Sequence, residues 1–193
     1  MASRSGEIFS TIVENLRRIW YYILMIILIA GTTHTGKTAL AQRLMEKYKI
    51  PYFSIDHLKM GLIRSEQTSL TVNDDLLLTD YLWQIVKEII KTVIENEQNL
   101  IVEGCYIPFD WQKDFDENYL TQIKFYCLIM SAEYIQNNFS DVLKYENVIE
   151  KRLTADIDKA ELIYENQRNL RQCEKYGLKY ILFDKEYKTE IEL

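Results

Sequence analysis

Residues 31–38 read Gly31-Thr32-Thr33-His34-Thr35-Gly36-Lys37-Thr38, and the stretch satisfies every fixed position of the phosphate-binding pattern G-x-x-x-x-G-K-[ST]. The two glycines let the backbone curl so that successive N–H groups face one concavity, a nest for anionic oxygens. Lys37 is long enough to reach β- and γ-phosphates, and the Thr38 hydroxyl is placed to ligate Mg²⁺. Upstream, Ile23 to Ala30 is an apolar run rich in β-branched residues. Downstream, Leu40, Ala41, Leu44, Met45 and Tyr48 recur at helical spacing. The order is therefore strand, loop, helix, as the pattern requires. Gly31 to Thr38, with Ala39 behind them in the first helical turn, predict a site for a nucleoside triphosphate with Mg²⁺.

Working outward, five short apolar runs recur: Leu24–Ile29, Pro51–Ile55, Leu100–Val102, Lys124–Met130 and Tyr180–Phe183. Helical patterns separate them, and that alternation predicts an α/β domain with a mainly parallel sheet covered on both faces. Thr71 with Asp74 predicts a capping box for a helix whose apolar face is Leu78, Leu82, Ile85, Val86, Ile89 and Val93. A further helix is expected from about Ala155 to Tyr176, ended by Gly177 in left-handed conformation. The long polar stretch from about Ser131 to Arg168 leaves room for a helical lid. Residues 1–24 read as an extension outside a core domain of residues 25–193. Met25 stands directly ahead of the first strand, where a start codon would be natural.

The chain has 193 residues, enough for one domain with a full core. Its net charge of −6 argues against a broad nucleic-acid-binding surface. The apolar run Ile19–Ala30 follows Arg17 and Arg18 but is too short to span a bilayer as a helix, so no membrane association is expected. Cys105, Cys127 and Cys173 form no C-x-x-C pair, which excludes a sequence-evident zinc or disulfide framework. Two of the three, Cys105 and Cys127, lie in or beside apolar strand-like runs and are expected to be packed thiols. A reducing cytoplasm is the natural compartment for them.

Other residues could carry chemistry. Asp56 follows the second apolar run, at the carboxyl rim where ligands of open α/β sheets bind. It could take a proton from an acceptor hydroxyl or help to hold Mg²⁺, or it could be a helix N-cap. Its neighbour His57 could orient substrate. The third run ends in Glu103-Gly104, an acid at the rim in the form of a Walker B element, or a capping or salt-bridged carboxylate. Gly104 would let the chain pass close to substrate. Arg64, Arg152, Arg168 and Arg171 could place guanidinium forks on phosphate oxygens. His34 is expected to contribute backbone only. Tyr81, Trp83, Tyr106 and Trp111 are candidates for an acceptor pocket or for the core.

With these residues assembled, the chain resembles the phosphate-loop kinases of small molecules. Those include nucleoside monophosphate kinases, shikimate and gluconate kinases, chloramphenicol phosphotransferase and the zeta toxins. The resemblance covers Met25 to about Asp184 and rests on Gly31–Thr38, Ser54–Asp56 and Val102–Gly104. It implies a three-layer fold with strand order 2-3-1-4-5, ATP with Mg²⁺, a lid carrying arginines such as Arg152 and Arg168, and a small-molecule phosphate acceptor met by Asp56, His57, Arg64, Glu103, Gly104 and Tyr106. Lys37 would serve the transferring phosphoryl, and Thr38 with Glu103 the metal. The segment Glu103-Gly104-Cys105-Tyr106-Ile107-Pro108 departs from the Asp-Gly-x-Pro of true adenylate kinases. A toxin-like nucleotide-sugar kinase and an ATPase without an acceptor are the alternatives.

Overall fold

The computed structural model describes residues 25–144, 158–189 and 191. The expected N-terminal extension, Arg152 and the middle of the expected lid lie outside them. In chain order the elements are β1 (Ile26–Gly31), α1 (Lys37–Tyr48), β2 (Tyr52–Ser54), α2 (Ile55–Arg64), α3 (Asp75–Glu95) and β3 (Leu100–Glu103). A 3₁₀ turn (Trp111–Asp114) and a short α4 (Glu117–Leu120) lead to β4 (Ile123–Met130), then α5 (Ala132–Lys144), α6 (Lys159–Tyr176) and β5 (Tyr180–Phe183). The five strands pair in the order β2-β3-β1-β4-β5, and all four pairings are parallel. This is the order the resemblance implies.

Every residue of β1 is buried, because the central strand has helices on both faces. Its side chains alternate between two cores. Ile26, Leu28 and Ala30 join Leu78, Leu82, Val86 and Ile90 of α3 on one face. Ile27 and Ile29 meet Leu40, Ala41 and Leu44 of α1 on the other. The period of two in the strand and of 3.6 in the helices thus produces three layers from one apolar run and its flanks. α6 ends at Gly177, whose φ of 64° is the left-handed cap expected there.

Two local expectations need correction. Thr71 does not cap α3; the helix starts four residues later, and the Asp74 carboxylate reaches back to accept from the Thr71 N–H and hydroxyl, both at 2.7 Å. Asp competes well for such local bonds, and the loop they close delays the helix. The packed thiols are Cys127 and Cys173, which touch each other under the sheet, whereas Cys105 is exposed. Cys173 sits on the buried face of α6, while Cys105 stands just past the end of β3, where the core has already closed.

The aromatic candidates mostly build the core. Trp83 and Trp111 pack edge-on against Phe115, and Trp111 stacks on Phe125. A buried indole N–H left unbonded costs about 1–3 kcal/mol. Trp83 avoids this by donating to Asp114 at 2.9 Å, and Lys87 neutralises the same carboxylate at 3.0 Å. Burial pushes the Asp114 carboxyl up, but the bonds from Trp83 and Lys87 outweigh it and hold it below the ordinary carboxylate range. A depressed carboxyl contributes stability above its unfolded pKa of about 4 and loses it as the pH falls. Asp114→Asn should therefore lower unfolding stability at neutral pH by about 1 kcal/mol. Urea titrations should show that deficit shrinking toward pH 3, and a deficit independent of pH would remove the ionic part of the account.

Candidate active site

The loop between β1 and α1 is shaped by close contacts as much as by its glycines. Gly31 has φ 139°, and a Cβ there would stand 2.6 Å from the Leu128 carbonyl oxygen of β4. Gly36 has φ 81°, and a Cβ would collide with the Tyr187 hydroxyl. Between them Thr35 donates its hydroxyl to the Thr32 carbonyl at 2.8 Å, and His34, at φ 64°, holds its Nδ1 2.7 Å from the Thr33 hydroxyl. His34 thus shapes the loop locally. α1 then starts at Lys37 with no side chain capping its first N–H groups. A curled backbone feeding an uncapped helix N-terminus fits a polyphosphate, which would take up those donors and the positive end of the helix dipole.

Lys37 is only 5% exposed and donates to the Thr32 carbonyl at 2.8 Å. Burial works to lower its pKa. The Cys105 sulfur, which it also hydrogen-bonds, and the carboxylates of Glu103 and Asp56 outweigh that, and the net shift is upward. The ammonium therefore stays charged. Thr38 and Ala39 follow it, half-buried, in the first turn.

The rim acids come from adjacent strands. Glu103 ends β3, 1% exposed, with Ile29 and Ser54 as its register partners on either side. Ser54 is 2% exposed and its hydroxyl has no hydrogen-bond partner among the described residues. It occupies the cap position of α2 without making a cap bond. Residues paired across parallel strands point to the same face about 4.8 Å apart. Ser54 and Glu103 therefore turn oxygen donors toward the α1 side of the sheet, where Thr38 lies in the first turn of the helix. Oxygen donors are the set Mg²⁺ takes, and an unsatisfied buried hydroxyl among them fits a hydrated ion.

Asp56 is the second residue of α2, so the cap reading does not hold for it. Its Oδ1 accepts from Lys59 Nζ at 2.6 Å, one helical turn on. Lys59 also donates to the Tyr106 hydroxyl at 2.9 Å, and Tyr106 donates to Asp75 Oδ1 at 3.0 Å. Gly104 permits this convergence: a Cβ there would stand 2.9 Å from Ile55 Cβ, so β3 and the start of α2 could not approach so closely. The other candidates are more scattered. His57 and Arg64 are exposed on α2, Arg168 pairs with Glu165 on α6 at 3.2 Å, and Tyr81 bonds the Gln67 carbonyl.

No family model matches the sequence, and no curated protein resembles it closely enough to count as a match. Solved structures do share its architecture. A Chloroflexus aurantiacus protein assigned provisionally as a kinase superposes with a TM-score of 0.54 at 18% identity, covering 84% of this chain and 88% of that one. A chain of the Pnkp1/Rnl/Hen1 RNA repair complex gives 0.54 at 13%, covering 82% of this chain and 48% of that one. The shikimate kinase of Acinetobacter baumannii, solved with shikimate, gives 0.49 at 13%, covering 89% and 87%. The fold is that of the phosphate-loop kinases.

Within that kinase fold, several residues at the site carried no decisive signal in the sequence. Lys59 stands at i+3 from Asp56 on a helix, a spacing that could have marked it as a partner. Asp75, Cys105 and Tyr187 reach the site from distant positions. Tyr187 donates to the Thr35 carbonyl at 3.1 Å while its ring packs on Phe183. Because Cys105 is exposed and in contact with Lys37, while Cys127 and Cys173 are buried, mild alkylation of the native protein should modify one thiol. MgATP should protect it. Mass spectrometry that finds Cys105 labelled equally with and without saturating nucleotide would place the phosphates elsewhere.

Proposed function

We propose that the protein is an ATP-dependent phosphotransferase acting on a small molecule, with its working domain at residues 25–193. The observation that supports this best is the setting of Lys37. A buried cation on the phosphate loop is balanced by an acid from the β3 rim, Glu103, and one from α2, Asp56. The donor side and the acceptor side of a transfer reaction would thus share one electrostatic neighbourhood.

In this reading the loop N–H groups and Lys37 hold the triphosphate, and Thr38 and Glu103, with Ser54 beside them, serve the metal. Mg²⁺, when bound, neutralises charge developing on the bridging and terminal phosphate oxygens. Asp56 orients an acceptor hydroxyl and receives its proton, with His57, Gly104 and Tyr106 around the acceptor. Arg152 and Arg168 are the guanidinium donors that would close over the phosphoryl group from the lid, and Arg64 is the cation nearest the far end of α2. Phosphoryl transfer asks for positioning and charge stabilisation more than for covalent chemistry, and this residue set supplies both.

Lys37→Ala should abolish transfer from ATP and weaken MgATP binding while leaving the circular dichroism spectrum unchanged. Isothermal titration showing unaltered affinity would overturn the nucleotide site. Asp56→Asn should reduce turnover by about 10²–10⁴-fold with MgATP affinity nearly intact. Glu103→Gln should instead raise the Mg²⁺ concentration needed for half-maximal rate. Steady-state assays of the two variants over a range of Mg²⁺ separate these roles, and wild-type turnover in Asp56→Asn would deny that residue any part in transfer.

A further inference from the structure

Asp56, Lys59, Tyr106 and Asp75 form a continuous polar chain across three separate pieces of the fold: α2, the segment after β3 and the first turn of α3. Its direction is set by chemistry. Lys59 can only donate, and it donates to both Asp56 and the Tyr106 oxygen. Tyr106 must then turn its own hydrogen to Asp75. Burial pushes the Tyr106 hydroxyl well above its ordinary pKa, so it stays protonated and keeps this role at physiological pH. The Lys59 side chain is 13% exposed and Asp56 31%, so the ammonium is the inner member and the carboxylates face outward. Asp75 is exposed.

Two carboxylates against one ammonium leave one net negative charge. The cation is sequestered between Asp56 and Tyr106, so what the chain presents outward is mostly acceptor lone pairs. Among the described residues, Lys59 is the only cation bonded into this chain. Arg64, at the other end of α2, is about 12 Å along the helix from Asp56, too far to neutralise both acids. The Lys37 ammonium feels the Asp56 carboxylate, so the chain lies within electrostatic range of the phosphate loop.

We propose that the phosphate acceptor is a hydroxylated molecule without phosphate, neutral or amino-bearing, and that Asp75 with the Lys59–Tyr106 pair is its specificity determinant. The inference rests on the phosphotransferase reading above and narrows it. A phosphorylated acceptor would bring two negative charges up to a chain already carrying one, and would find the chain's own cation engaged. Hydroxyl and ammonium donors would instead satisfy the outward lone pairs of Asp56 and Asp75. Lys59 acts as a positioning residue: it fixes which oxygen of Asp56 is engaged and which faces the acceptor.

The test uses one sugar ring in three charge states, D-glucosamine, D-glucose and D-glucose 6-phosphate, with AMP as a nucleotide probe. Binding of each to the full chain is read by saturation-transfer NMR with and without a non-hydrolysable MgATP analogue, whose own affinity is measured separately by titration. Glucosamine should bind most tightly, glucose next, and glucose 6-phosphate and AMP most weakly. Asp75→Asn should weaken glucosamine binding about tenfold, the loss of one charge-assisted hydrogen bond. It should narrow the gap to glucose 6-phosphate and leave the affinity for the ATP analogue unchanged. Tighter binding of glucose 6-phosphate or AMP than of glucosamine and glucose overturns the inference. So does failure of both unphosphorylated sugars to bind, or an Asp75→Asn protein with unaltered preference. Loss of the ATP analogue alone strikes the phosphotransferase reading, because the sugar series is also read without nucleotide.

Discussion

A buried lysine at the positive end of a helix is the constraint around which this site is arranged. Lys37 opens α1, where the helix dipole already disfavours a cation, and it is shielded from water. Leaving such a charge uncompensated would cost several kcal/mol. The fold supplies compensation from three directions: the Thr32 carbonyl within the loop, Glu103 and Cys105 at the end of β3, and Asp56 at the start of α2. Glu103, Cys105 and Asp56 could not approach Lys37 if β3 were not the strand next to β1. The crossover that puts β3 between β1 and β2 is therefore the topological counterpart of one electrostatic requirement. A charged loop lysine, in turn, is what a polyphosphate ligand needs to find waiting.

Close approach is the second theme, and glycine positions record it. Gly31 lies against the backbone of β4, and Gly104 lies against Ile55. The first contact fixes where the loop leaves the sheet, and the second lets the end of β3 and the start of α2 converge. Substituting either with a larger residue would push apart the elements that meet there. The same economy appears at Ser54, where β2 passes directly into α2 without a loop. A strand residue beside Glu103 and a helix residue beside Lys59 are thus only two positions apart, serving opposite sides of the site.

Periodicity made the sheet, its helices and the phosphate loop legible in the sequence, and the resemblance carried the strand order. These features are local, or nearly so, and each has a residue pattern of its own. The capping of α3 was misread because Thr71 and Asp74 satisfy each other in a loop as readily as at a helix start. The thiols were misjudged because proximity to an apolar run says little about which side of the closing core a residue falls on. The polar chain from Asp56 to Asp75 was only partly visible. Its Lys59–Asp56 contact is a one-turn helical spacing, but Tyr106 meets Asp75 across 31 positions and no periodicity links them. Asp56 and Glu103 could be placed at the rim from strand ends alone, whereas their partners are set by packing.

The contact between Tyr187 and Thr35 has a consequence for how the site comes into being. The two residues are 152 positions apart, and the hydroxyl that braces the loop carbonyl arrives with the segment after the last strand. During synthesis, a nascent chain that has released β1, the loop and α1 holds every residue of the phosphate-binding pattern and still lacks one of the bonds that shape it. Non-local contacts of this kind form late, since their loop-closure entropy must be met before they contribute. The octapeptide that is easiest to read in the sequence thus waits, for part of its finished geometry, on a residue 152 positions further along the chain.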